Sequence, residues 1–226
     1  MKYEIIGNIV PAVEFTLNNG DSIYTQKGGM IWHSEGIDMS TNTKGGIRKG
    51  LGRVFSGDSF FMNTYTATCD GATIAFASTV PGKLVVLNFT SDHPGIIAQK
   101  GSFLCAQESI NLNVAFTKKV GAGLFGGEGF VLQDISGYGL VVLEVDGDIK
   151  EKELKENESI LIDTGNLVYF DKTCAYEVVN VKGVKNALFG GEGLFLTKVT
   201  GPGKVVLQTQ NYYEYASKLV SIIPHK

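Results

Sequence analysis

LFGGEG occurs twice, at Leu124–Gly129 and again at Leu188–Gly193, and a degraded copy, VFSGDS, stands at Val54–Ser59. Each of the two full copies leads into an apolar, strand-like run and is followed by a second one, Val141-Val142-Leu143 and Val205-Val206-Leu207. A block that recurs at fixed spacing means one structural unit used several times, and it governs how the rest of the chain is read. With the phenylalanine before the Gly-rich turn as anchor, Phe125 and Phe189 lie 64 residues apart, and Phe55 precedes Phe125 by 70. The upstream glycines Gly101 and Gly165, in QKGSF and DTGNL, keep the same spacing of 64, with Gly28 in QKGGM as the first-unit counterpart. Val85-Val86-Leu87 aligns as the first downstream triplet.

The first unit carries extra residues around TYTATCDGATIAFAS, which alternates polar and apolar residues about Asp70-Gly71, a hairpin turn signal. It reads as an inserted β-hairpin near 65–79. The expected organisation is unit one over 1–92, unit two over 93–152, unit three over 153–210, and a C-terminal helix and tail over 211–226. Almost every other segment reads as strand: short, rich in β-branched and aromatic residues, bounded by Gly, Asp or Asn. Helical periodicity occurs at the end, where Tyr212, Tyr215, Ala216, Leu219, Val220 and Ile223 share one face and Pro224 stops the run. Burial of that stripe on the parent barrel is the plain role for the helix; contact with a partner or a membrane is the sharper one.

The 226 residues carry 29 Gly but 5 Pro, with a formal net charge of −3 and 19% charged residues, so nothing draws the chain as a whole toward nucleic acid or anionic lipid. Three cysteines, Cys69, Cys105 and Cys174, without a CxxC pair point to free thiols in a reducing compartment rather than a disulfide framework or a zinc knuckle. The first fifteen residues have no apolar core of signal-peptide length and no arginine, and no stretch approaches 18 consecutive apolar residues. A cytoplasmic protein without an integral membrane segment is expected.

QKGGMIW, SGDSFF, LFGGEGF, LFGGEGLFL and GPGKVVLQT, in that order over roughly residues 1–210, resemble the altered inheritance of mitochondria protein 24 family. The resemblance implies an all-β fold of three tandem short double-stranded β-helix units, similar to the subunit of the tryptophan RNA-binding attenuation protein, set in a pseudo-threefold ring. It brings no catalytic residues, and the family's mitochondrial role does not transfer with it.

Candidate chemistry is thin. Asp58, Glu128 and Glu192 occupy matching places in the Gly-rich turns, and three carboxylates gathered at an axis could hold a hard cation. Copying a turn copies its residues regardless of use, so hydrogen bonding of each acid within its own turn explains the same pattern. LFGGEG is no phosphate loop: it is not GxGxxG, it leads into a strand, and no Lys-Ser/Thr follows. His33 and Glu35, two apart in HSE, would share a face on a strand and could form an acid–base pair or two metal ligands, but lack a third. Cys105, in FLCAQES, reads as buried rather than reactive. Lys44, Arg48, Lys49 and Arg53 form a Gly-rich basic loop suited to an anion or to RNA, though without aromatics for base stacking. The expected function is therefore non-enzymatic: a scaffold or interaction module with a protein partner or self-association, and no cofactor. The alternatives are a small-ligand or metal-binding protein using the space between units, and RNA or anion binding through the 44–53 loop; peripheral membrane contact is a further option.

Overall fold

The computed structural model describes residues 1–26, 28–43, 61–118, 129–180 and 195–223. Apart from a short edge strand, β1 (Lys2–Ile6), the strands among the described residues fall into three successive sets of six. The first is β2 (Ala12–Leu17), β3 (Ser22–Gln26), β4 (Met30–His33), β5 (Ile37–Thr43), β6 (Phe61–Ala67) and β7 (Ala72–Ala77). The second is β8 (Gly82–Phe89), β9 (Ile96–Gln99), β10 (Phe103–Gln107), β11 (Ile110–Lys118), β12 (Phe130–Gly137) and β13 (Gly139–Asp146). The third is β14 (Ile149–Leu154), β15 (Ser159–Asp163), β16 (Leu167–Asp171), β17 (Ala175–Asn180), β18 (Phe195–Thr200) and β19 (Gly203–Gln208), followed by the helix α1 (Tyr212–Ile222).

The sheet orders are β1-β2-β7-β4, β5-β6-β3-β10-β13-β8, β11-β12-β9-β16-β19-β14 and β15-β18-β17. One rule generates all four. In every set the sixth strand lies between the first and the third, and the fifth lies between the second and the fourth. The second strand of one set then pairs with the third strand of the next, as β3 with β10 and β9 with β16. A bulge recurs as well. The register of the third strand against the sixth slips between Met30 and Trp32, between Phe103 and Cys105, and between Leu167 and Tyr169. The last two sites are 64 residues apart, the spacing of the anchor glycines. A bulge adds one residue to one strand and re-aims its neighbours. The added residue is buried at Leu104 (4% exposed) and Val168 (0%). At Ile31 it is 45% exposed, β4 being the end strand of its sheet among the described residues.

Strand pairing groups the chain differently from the expected boundaries at 92/93 and 152/153. Gly82–Phe89 and Ile149–Leu154 each stand first in the set that follows them. The hairpin expected near 65–79 does not form: β6 and β7 follow one another across the Asp70-Gly71 turn but pair into different sheets, and they hold the places that β12–β13 and β18–β19 hold rather than adding to the pattern. The Val85-Val86-Leu87 triplet accordingly lies in the counterpart of β14, not of β13. The reason is physical: a repeated motif gives a period but no starting point, and GKLVVL and GLVVLEV have the same β-forming, Gly-led composition.

The residues pack into two compact units. One comprises Met1–His93, Phe103–Asn113 and Ile135–Glu144. Its core includes Val13, Phe15, Leu17, Ile74, Phe76, Cys105 and Val142, with Phe76 meeting Phe15 (6.2 Å) and Tyr65 (5.9 Å) edge-on. The other comprises Pro94–Ser102, Val114–Asp134 and Val145–Lys226, with Phe130, Leu132, Leu167, Phe170, Val199 and Val205 at its centre. Alternation along β2, where Val13, Phe15 and Leu17 face inward and Thr16 faces water, is the pattern of a sheet with one wet face.

Several buried positions break the apolar rule, Thr64, Gln133 and Thr197 among them. Gln133 is fully buried, and neither its amide nitrogen nor its oxygen has a hydrogen-bond partner among the described residues. An unmet buried amide costs the desolvation of its polar atoms. Replacing Gln133 with Leu is therefore expected to raise stability by about 1–3 kcal/mol, whereas Phe76→Ala is expected to lower it by about 3–5 kcal/mol. Urea denaturation followed by circular dichroism reads both; a destabilised Gln133→Leu protein would show that this amide is satisfied in solution.

Candidate functional site

The three turn acids, Asp58, Glu128 and Glu192, and the basic residues Lys44, Arg48, Lys49 and Arg53 lie outside the described residues, as do the anchor phenylalanines. Each Gly-rich block joins the fourth strand of its set to the fifth.

His33 and Glu35 are described. β4 ends at His33, and Glu35 lies in the bend that follows, next to Gly36 (φ +81°), so strand alternation does not carry from one to the other. The His33 Nδ1 sits 2.7 Å from the Ser34 carbonyl, and Ser34 Oγ donates to the Glu35 carbonyl at 3.0 Å. Both residues are exposed, and no hydrogen bond or ion pair joins their side chains. The structure thus does not bring them together as an acid–base unit. No group of three or more His, Cys, Asp or Glu side chains positioned for a metal ion occurs among the described residues. Cys105 is buried, and desolvation, reinforced by the Glu144 charge, pushes its thiol well above the ordinary range. A thiol held protonated is a poor nucleophile.

Two polar contacts were not foreseen. Trp32 donates its indole N–H to Glu14 Oε2 at 2.7 Å across the first sheet. The second is the root of α1. Asn211 is nearly buried, and its Oδ1 accepts from the Tyr213 and Glu214 N–H groups at 3.1 and 3.4 Å, capping the helix. The Tyr212 N–H bonds Asp146 Oδ2 at 3.0 Å. A Cβ on Gly165 would overlap the Asn211 amide, so the glycine of DTGNL leaves the space in which the cap sits. At Gly28 and Gly101 the same position meets nothing within 4 Å. An Asn just before an amphipathic run is a legible cap; that a glycine 46 residues earlier makes room for it is not.

Beyond this root the helix touches little. None of its residues is buried, and Tyr212, Tyr213, Tyr215, Leu219, Val220 and Ile222 are all exposed, Ile222 at 76%. Ile223, next to Pro224 in the sequence, is extended (φ −79°, ψ 123°), as a residue before proline must usually be. The helix is eleven residues long, and no helix among the described residues is long and apolar enough to cross a membrane.

The root is open to test. Burial raises the Asp146 carboxyl above its ordinary value of 3.8, against the lowering effect of the Tyr212 N–H. A raised folded value favours the protonated form, so this contribution is full below 3.8 and lost as pH rises through the raised value. Asp146→Asn, which mimics the protonated group, is expected to raise Tm by about 1–3 °C at pH 7 and to match the parent at pH 3. Gly165→Ala is expected to cost about 1–3 kcal/mol by overpacking and to reduce helical ellipticity; an unchanged spectrum and Tm would refute the account of the cap.

The family model for mitochondrial biogenesis AIM24 matches residues 3–210. An uncharacterized protein of Streptococcus pyogenes serotype M6, M6_Spy0233, is 28% identical over 222 residues, covering 95% of this chain and 87% of that protein. The crystal structure of protein SPYM3_0169 from Streptococcus pyogenes is similar with a TM-score of 0.79 at 25% identity, over 98% of this chain and 99% of the other. With the family's pattern running through all three strand sets and stopping at the foot of the helix, the chain belongs to the mitochondrial biogenesis AIM24 family.

Proposed function

We propose that this chain is a non-enzymatic interaction module: a β scaffold made of three copies of one six-stranded unit, from which α1 presents its apolar half to a protein partner. The recurring pairing rule and the recurring bulge support the triplication. The pseudo-threefold ring implied by the family resemblance belongs to the same proposal.

One observation carries the functional part. α1 is fixed at its base by Asn211 and Asp146, yet its apolar face is uncovered. Tyr212, Tyr215, Ala216, Leu219 and Val220 lie on one side at i, i+3, i+4 spacing, and Glu214, Ser217, Lys218 and Ser221 on the other; Ile223, expected on the same stripe, is extended beyond the helix end. An anchored helix with an exposed apolar face resembles the helix-in-groove mode of recognition. Its polar side carries one acid and one base, unlike the Lys/Arg-rich face of helices that lie on anionic membranes. That balance favours a protein groove over a lipid surface.

Affinity capture from the native cell with the parent chain and with a Leu219→Asp/Val220→Asp variant tests the reading. Loss of a stoichiometric partner in the variant, with the β signature of the circular dichroism spectrum retained, is the expected result. Identical captured proteins in both samples would end it, and co-sedimentation of the parent with neutral or anionic vesicles would replace the protein groove by a membrane.

A further inference from the structure

Among the described residues β1 is an end strand, paired on one side only, and all five of its residues are exposed. Its register against β2 is unbroken: Lys2 opposite Thr16, Tyr3 opposite Phe15, Glu4 opposite Glu14, Ile5 opposite Val13 and Ile6 opposite Ala12. Residues paired across strands share a face. Tyr3 and Ile5 therefore stand on the face where Phe15 and Val13 enter the core, yet they remain 45% and 48% exposed. The inner face of the first sheet continues past its covered part.

Natural end strands are blunted by charge, proline or bulges. β14 is one such: Lys150, Glu151, Lys152 and Glu153 follow one another along it, exposed on both faces. β1 has no proline, no bulge and just two charges, Lys2 and Glu4, of opposite sign and on the same face. Glu4 also faces a like charge, Glu14, and neither carboxylate has an ion-pair partner among the described residues. The strand thus offers unpaired backbone, half-exposed apolar side chains, and a carboxylate with an acid on one flank and no described strand on the other.

We propose that β1 pairs antiparallel with β1 of a second copy of this chain, about a twofold axis through Tyr3. The charges select both the occupant and the register. Centred on Tyr3, the pairing sets Lys2 of each copy opposite Glu4 of the other, stacks the two Tyr3 rings, and brings Ile5 opposite Met1, which already packs on the core of the first unit. Centred on Glu4, the pairing would set two carboxylates face to face, which directly opposite strand positions penalise. The tyrosine-centred register gives Glu4 a cation on its open flank. It also extends each four-stranded sheet into one of eight strands, a self-complementary contact of the kind closed dimers use. Five residues a side is small against the roughly 800 Å² per partner of a standard interface, so the dimer dissociates on dilution. This inference deepens the reading of the chain as an interaction module, and it uses β1 rather than α1.

Sedimentation velocity of the full chain over a concentration series tests it, with circular dichroism as the control for folding. The parent is expected to dimerise, and less so in high salt. Lys2→Glu and Glu4→Lys each place like charges opposite one another at both cross-strand pairs, and each is expected to weaken the dimer about tenfold or more. The doubly exchanged chain, Lys2→Glu with Glu4→Lys, regains it. An equimolar mixture of the two single variants forms the heterodimer, since one copy then carries two acids and the other two bases. A parent that stays monomeric, single variants that dimerise like the parent, or a mixture that does not associate overturns the proposal. The Leu219→Asp/Val220→Asp variant separates the two surfaces: it keeps this dimer even where partner capture is lost, and a dimer that depends on α1 instead of on Lys2 and Glu4 refutes the β1 pairing.

Discussion

A strand buried in a sheet must place its N–H and C=O groups on two neighbours, and here the neighbours of each closing strand are far away in sequence. β7 pairs with β2, so that Ala77 meets Ala12; β19 pairs with β14, so that Gln208 meets Ile149. The closing strand also takes the third strand of its set on its other side. Three turns of the chain have to be in place before the last strand of a set finds both partners, and the entropy of closing those loops precedes the reward. Non-local pairing of this kind makes for slow folding. It also explains the economy of the design: each set leaves its second or third strand for a neighbouring set, so the sheets grow by the same contact each time.

Much of this was legible in the sequence, and the limits are instructive. The 64-residue spacing read from Gly101 and Gly165 is carried by the strands themselves, since Phe103–Gln107 and Leu167–Asp171 hold the same place in their sheets. The all-β class and the three-turn C-terminal helix were readable from composition and periodicity. The phase of the repeat was not. Val85-Val86-Leu87 resembles Val141-Val142-Leu143 because first and sixth strands face the same demand, a β-branched run led by glycine, and local sequence does not say which neighbour a strand will choose. The His33–Glu35 reading failed for a related reason. Alternation holds only while the strand lasts, and β4 stops at His33. The turn acids and the basic loop stood on motif alone, outside the described residues.

Chemically, the described part of the molecule is quiet in its interior and expressive at its margins. The buried thiol of Cys105 is held protonated by its surroundings. Gln133 spends no hydrogen bond on any described neighbour. At the margins, by contrast, each exposed element has its own character: β14 is armoured with alternating charges, β1 is apolar with one charge of each sign, and α1 divides cleanly into an apolar and a polar half. Sheets built by one pairing rule can differ in what their edges do, because the edges are where that rule stops.

The second set of six strands supplies both compact units: β8, β10 and β13 complete the large sheet of one, while β9, β11 and β12 open the large sheet of the other. The chain is therefore woven rather than strung. Beads on a string can be lost or gained singly, as repeats in open solenoids often are, but a woven member cannot be removed without unravelling two fabrics at once.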